Sequence, residues 1–181
     1  MKNNAQISKF LSFILRHKPD AIGIELDSNG WTEINRLINK TNASNEFESL
    51  TLEQLQEVVH SSDKKRFVIS EDGNKIRANQ GHSIKVELQL NELIPPAQLY
   101  HGTASRFIES IMNEGLKPGE RNHVHLSDNI DTAEAVGKRY GKPVLLKIEA
   151  LKMHQQGFKF FLSENNVWLT AKVPAVFICT S

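Results

Sequence analysis

Apolar residues recur at helical spacing in three stretches of the first half of the chain. Ile7, Phe10, Leu11, Ile14 and Leu15 predict an amphipathic helix over residues 5–17, ended by Pro19. Ile24-Glu25-Leu26-Asp27, a Ser-Asn-Gly turn and Trp31 follow, and Ile34, Leu37 and Ile38 then mark a second helix. Thr51 is placed to cap a third, with Leu52, Leu55, Val58 and Val59 on its apolar face. Beyond that helix the pattern changes, because Phe67, Ile69 and Ile76 flank Glu71-Asp72-Gly73-Asn74, which has the composition of a hairpin turn. Three helices followed by a β-hairpin is the pattern of a winged-helix lobe, so residues 1–90 are expected to form one. Such lobes often carry nucleic acid, although fold alone does not give function.

Residues 79–96 read as a bridge that ends at Pro95-Pro96, and a β-rich lobe is expected over residues 97–181. Ala97, Leu99 and Tyr100 lead into His101-Gly102-Thr103 at the end of a strand. Phe107, Ile108, Ile111 and Met112 mark a helix stopped by Gly115. Arg121 to Asp128 reads as a strand with alternating faces. A helix with Ala133, Val136 and Tyr140 at helical spacing follows it, capped by Asp128 or Asp131. Val144–Ile148, Phe158–Leu162, Val167–Val173 and Val176–Cys179 supply further strands. The expected class is α+β in two lobes, with no internal repeat.

Composition narrows the function classes. The 181 residues are 39% hydrophobic and 24% charged with a formal net charge of +1, as in an ordinary globular protein. Residues 1–90 carry 12 Lys and Arg against 12 Asp and Glu. Any contact with RNA must therefore come from a local cluster of cations and not from bulk charge. The lone Cys179 has no intrachain partner and no Cys-x-x-Cys zinc spacing exists; it is expected to be a thiol buried in a strand. Met1 is followed by Lys-Asn-Asn and an amphipathic helix, not by an apolar signal core, and no apolar run approaches the ~20 residues that span a bilayer. A cytoplasmic location is expected.

Several residues invite chemistry, each beside a plainer explanation. Gly102 leaves room for a flat ligand to approach the backbone, and His101 can hold a polar edge of it; most His-Gly pairs, however, are simply turns. Arg16 and His17 fall in the last turn of the first helix, where the helix dipole alone favours cations. His125 is also explained as an exposed strand histidine, and any one arginine as a solvated surface charge.

The motifs together say more. His101-Gly102-Thr103, then a strand of the type His125-Leu126-Ser127-Asp128, then an Ala-containing helix resemble the NAD-binding half of the ADP-ribosyltransferases. Leu15-Arg16-His17 with Pro19, Lys65-Arg66-Phe67, residues 76–83 (Ile-Arg-Ala-Asn-Gln-Gly-His-Ser) and Arg121 with residues 123–127 resemble one branch, the RNA 2′-phosphotransferase (tRNA 2′-phosphotransferase) family. The resemblance covers nearly the whole chain. It implies an N-terminal winged-helix-like lobe that binds RNA and a C-terminal β-rich, ADP-ribosyltransferase-like lobe that binds NAD. In that family the RNA 2′-phosphate attacks C1″ of NAD and releases nicotinamide. The 2″-OH of the attached ADP-ribose then attacks phosphorus, giving 2′-OH RNA and ADP-ribose 1″,2″-cyclic phosphate. NAD is consumed and no metal is needed.

Residue roles carry over on the same terms. Arg16, His17, Arg66 and Arg121 match the residues that converge on the RNA phosphate; Arg66 is preferred to Arg77 for its Lys-Arg-Phe context. A phosphate monoester carries a charge near −1.5 to −2 and three acceptor oxygens, which guanidinium forks match. His17 can serve as acid, base or phosphate ligand. The resemblance assigns His101, Gly102, Thr103, His125 and Ser127 to NAD, and Gln80 and His82 to NAD or the shape of the cleft. Val167 stands where many ADP-ribosyltransferases carry a glutamate. An anionic nucleophile needs no base to deprotonate it, so that loss suits phosphate chemistry. The partner is RNA bearing an internal 2′-phosphate, and a monomer would suffice. Two alternatives stand: a one-step ADP-ribosyltransferase acting on terminal phosphates, and a noncatalytic nucleic-acid binder with a strong salt dependence.

Overall fold

The structure, a computed structural model, describes residues 3–44, 49–62 and 64–180. The chain is α+β and divides into two compact units, Met1–Gln89 and Leu90–Ser181.

In the first unit, helix α1 spans Asn4–Arg16. It starts at a capping box in which the Asn3 side chain accepts from the Gln6 amide and the Gln6 side chain accepts from the Asn3 amide. Its buried stripe is Ile7, Leu11, Ile14 and Leu15. His17 is the C-cap, one residue beyond the helix, and Pro19 opens a 3-10 turn over Pro19–Ile22. A short strand β1 (Thr32–Glu33) leads into α2 (Ile34–Ala43). Thr51 caps α3 (Leu52–His60) through a second capping box, with Gln54. The α3 stripe is narrower than its sequence suggests, since Leu55 and Val58 are buried but Leu52 is exposed.

Strands β2 (Phe67–Ile69) and β3 (Lys75–Ala78) form the expected hairpin, and the antiparallel sheet runs in the order β1-β3-β2. Ile76 lies opposite both Thr32 and Ile69, so the central strand brings its buried face onto Leu11, Leu15, Leu37 and Leu55. That core holds the C-terminal end of α1 and the start of β2 in fixed places.

The second unit contains two three-stranded antiparallel sheets. The first has the order β4-β6-β9, with β4 at Leu99–Ala104, β6 at Pro143–Ile148 and β9 at Ile178–Thr180. The second has the order β5-β8-β7, with β5 at Val124–Leu126, β7 at Phe161–Leu162 and β8 at Trp168–Thr170. One bridge joins them: the Tyr100 amide donates to the Ser127 carbonyl at 2.7 Å and the Ser127 amide to the Tyr100 carbonyl at 2.9 Å. Helices α4 (Ile108–Glu114), α5 (Ile130–Gly137) and α6 (Ala150–Gln155) complete the unit. Leu99, Leu146, Ile148, Met153 and Phe160 are fully buried at its centre.

Four sequence expectations change here. Asn129, not Asp128 or Asp131, caps α5, its side chain accepting from the Thr132 amide at 2.8 Å. Helix α6 is absent from the sequence reading, because its six residues bury only Ala150 and Met153 and so show no extended stripe. Tyr140, placed on the apolar face of the α5 helix by spacing, is exposed beyond its end. Cys179 is on a strand but exposed: β9 turns Ile178 inward and the next residue out.

Candidate functional site

In the first unit the end of α1, the start of β2 and residues 79–83 come together. Arg16 is half-buried, with its guanidinium carbon 6.0 Å from the centre of the Phe67 ring and Nη2 in a long 3.5 Å contact with the Arg66 carbonyl. The guanidinium also lies along Gly81. That residue has φ +88°, and a Cβ there would stand 3.5 Å from Arg16 Nη1. Glycine thus meets two requirements at once, a left-handed backbone and room for Arg16. Next to it, the Ser83 amide donates to the Arg16 carbonyl at 3.0 Å, and Ser83 Oγ lies 2.9 Å from His17 Nδ1.

Arg66 is anchored from the same tract. The Asn79 amide donates to the Arg66 carbonyl at 2.9 Å, and Asn79 Nδ2 donates to the Lys65 carbonyl at 2.6 Å. Lys65 has φ 37°, a conformation that costs a non-glycine residue of order 1 kcal/mol or more unless its surroundings hold it. The buried Asn79 supplies that hold. Arg77, the alternative to Arg66, has its guanidinium 4.7 Å from the centre of the Trp31 ring, a cation-π contact.

His82 departs from its expected place. It is only 2% exposed, with Nε2 against Gly30 and without a hydrogen-bond partner among the described residues. Burial first, then the positive charges of Arg16, His17 and Arg77, push its pKa down to about 4. In this arrangement His82 is a neutral interior ring beneath the cations and is closed to a ligand. Gln80 is half-buried.

In the second unit, hydrogen bonds fix two histidine tautomers. His101 Nδ1 lies 3.0 Å from the His125 carbonyl, which only accepts, so Nδ1 carries the proton. Burial, and then the charge of Arg121, lower the pKa of His101 against the opposing effect of that hydrogen bond. A neutral His101 therefore keeps Nε2 as an acceptor. Arg121 Nη1 lies 2.8 Å from His125 Nδ1, and guanidinium only donates, so His125 accepts at Nδ1 and carries its proton on Nε2. One histidine offers an acceptor and the other a donor. Arg121 itself is exposed on the loop before β5.

Gly102 serves a purpose other than ligand approach. A Cβ there would stand 1.6 Å from the Ala133 carbonyl oxygen and 2.9 Å from the Gly137 nitrogen. The space is filled by the backbone of α5, which crosses β4 at this point. Thr103 is buried in the same strand opposite Val144. Ser127 Oγ accepts from the Asn129 amide at 3.0 Å and so steadies the entry to α5. Val167 lies just before β8, its amide donating to Ser163 Oγ at 3.1 Å.

Asn79 and Ser83 were not singled out from sequence as site residues. Their only signal there was membership of the 76–83 motif. Among the described residues no group of three or more His, Cys, Asp or Glu is arranged to hold a metal ion, and no helix is long and apolar enough to cross a membrane.

Comparison with known proteins agrees with this arrangement. Residues 2–172 match the model of the RNA 2′-phosphotransferase, Tpt1 / KptA family. Among curated proteins, a probable RNA 2′-phosphotransferase of Acaryochloris marina is 56% identical over 169 residues, covering 93% of this chain and 92% of the relative. One of Pseudomonas fluorescens is 56% identical, with 94% and 93% covered. One of Rhodopirellula baltica is 53% identical, with 98% of each covered. With a family model spanning nearly all its length and relatives more than half identical to it, the chain belongs to the RNA 2′-phosphotransferase, Tpt1 / KptA family.

Proposed function

We propose that this chain removes an internal 2′-phosphate from RNA in a reaction that consumes NAD. The observation that carries the reading is the cation group of the first unit. Arg16, His17 and Arg66 are held by one tract, residues 79–83, and the histidine buried beneath them is neutral. Preorganised charged donors are what a transferring phosphoryl group needs, since its equatorial oxygens gain charge as the bond to the departing oxygen breaks. Arg16 and Arg66 supply forked donors and His17 a ring nitrogen that can move a proton. Arg121 is the fourth donor, carried by the second unit.

In this reading the first unit is a winged-helix-like RNA lobe and the second an ADP-ribosyltransferase-like NAD lobe. The opposite tautomers of His101 and His125 suit NAD as a substrate, because a carboxamide presents both an N–H donor and a carbonyl acceptor. Gly102 and Thr103 keep β4 against α5 and β6 and so place His101; Ser127 ties β5 to β4. Val167 brings no carboxylate, in keeping with a nucleophile that is already anionic. RNA 2′-phosphate attacks C1″ of NAD as nicotinamide leaves; the 2″-OH then attacks phosphorus, the RNA 2′-oxygen departs and takes up a proton. The products are 2′-OH RNA and ADP-ribose 1″,2″-cyclic phosphate. The chain acts as a cytoplasmic monomer without metal.

The test is a short RNA with one internal 2′-phosphate, which blocks alkaline cleavage at that position. Incubation with the protein and NAD should restore cleavage, and omission of NAD should leave the block intact. Unblocking without NAD, or persistence of the block with it, would overturn the proposal.

A further inference from the structure

Ser83 is tied to the end of α1 at two points. Its amide holds the Arg16 carbonyl at 3.0 Å and its hydroxyl meets His17 Nδ1 at 2.9 Å. The backbone bond fixes where the hydroxyl stands, so the side-chain contact does not depend on a freely moving loop. Gly81, with Arg16 packed along it, and Asn79, bonded to Lys65 and Arg66, anchor the same tract two and four residues earlier. His17 is exposed at the helix C-cap, where its backbone alone does not set the ring. The Ser83 hydroxyl therefore sets which ring nitrogen of a neutral His17 carries the proton.

We propose that Ser83 is a positioning residue for the phosphate chemistry: its O–H donates to His17 Nδ1 and holds the neutral ring with the proton on Nε2. Nε2–H then faces outward as a donor. A phosphate monoester offers acceptors only, so this tautomer can bind a phosphoryl oxygen directly, whereas the opposite one would present a lone pair to an anion. The same Nε2–H can protonate the 2′-oxygen as it leaves phosphorus; the ring that loses this proton regains one from solvent. This inference rests on the proposed phosphate reaction for its consequence but not for its geometry.

Two readouts test it on the full chain. Long-range proton–nitrogen NMR of the histidine rings, at a pH where His17 is neutral, reports the tautomer without substrate. The wild-type ring should carry its proton on Nε2, and Ser83→Ala should give a mixture while Ser83→Thr keeps the wild-type pattern. In turnover of 2′-phosphorylated RNA, Ser83→Ala should lower kcat about tenfold, the size of one lost orienting hydrogen bond, with little change in KM. Ser83→Thr should restore most of the rate. A wild-type ring protonated on Nδ1, or a Ser83→Ala variant with unchanged tautomer and unchanged kcat, would overturn the proposal. The NMR result stands apart from turnover, so a wild-type chain that released no phosphate would sink the proposed function and leave the tautomer assignment to be decided by the spectrum.

Discussion

Lowering the pH should unfold the first unit through a single buried ring. His82 has a folded pKa of about 4 against an ordinary value of 6.5. Between those values the unfolded chain takes up a proton that the folded one refuses, so stability rises with pH across that window. The stabilisation is complete above about pH 6.5 and is lost as the pH falls toward 4. Linkage across the shift gives a loss of about 2 kcal/mol between pH 7.5 and 5.0. The lowered carboxylates of the first unit, Glu53 and Asp72, act mainly below that window, Asp72 being held at about 2 by Ser70 and Asn74. Because His101 is also depressed, the readout must be local. Denaturant-dependent amide exchange at the buried Leu11 and Leu55, corrected for intrinsic rates, reports the first unit. A His82→Gln variant should show a nearly flat profile over the same range. An equal fall in wild type and variant, or no fall in wild type, would refute the reasoning.

Other outcomes follow from the same geometry. Gly102→Ala sets a Cβ 1.6 Å from a backbone oxygen, so β4 and α5 must part; a loss of about 3 kcal/mol, the upper end of overpacking costs, should appear in denaturant titration of the second unit, and a loss well under 1 would contradict the close crossing. Arg16→Ala, Arg66→Ala and Arg121→Ala should each slow 2′-phosphate release by about 10²–10³ through lost charge stabilisation, and near-normal rates in all three would remove the assignment. His101→Ala should weaken use of NAD more than binding of RNA. Titrations with each ligand check this, and retained NAD affinity would count against the assigned role.

What the chain reveals on reading is what local pattern determines. The α1 stripe, the Thr51 cap and the Glu71–Asn74 turn each lie within a few residues of the element they define, and each is in place. The supports of the candidate site are different. That Gly102 makes room for α5 depends on Ala133 and Gly137, more than thirty residues on. That Asn79 holds Lys65 and Arg66, and Ser83 holds Arg16 and His17, depends on tertiary contacts that no periodicity displays. His82 shows the limit most clearly. In sequence it is a polar residue within a recognisable motif; in the fold it is turned inward and neutral. Cys179 illustrates the opposite error, an apolar-flanked residue that strand alternation turns outward.

The most direct measurement follows the phosphate itself. A short RNA carrying one internal, radiolabelled 2′-phosphate is incubated with the protein and NAD, without added metal, and the labelled products are separated. The account predicts that label moves from RNA to ADP-ribose 1″,2″-cyclic phosphate, with one nicotinamide released per phosphate removed. Label retained on ADP-ribosylated RNA would mean a transferase that stops after one step, and label released as inorganic phosphate, or left on RNA with no nicotinamide formed, would contradict the account.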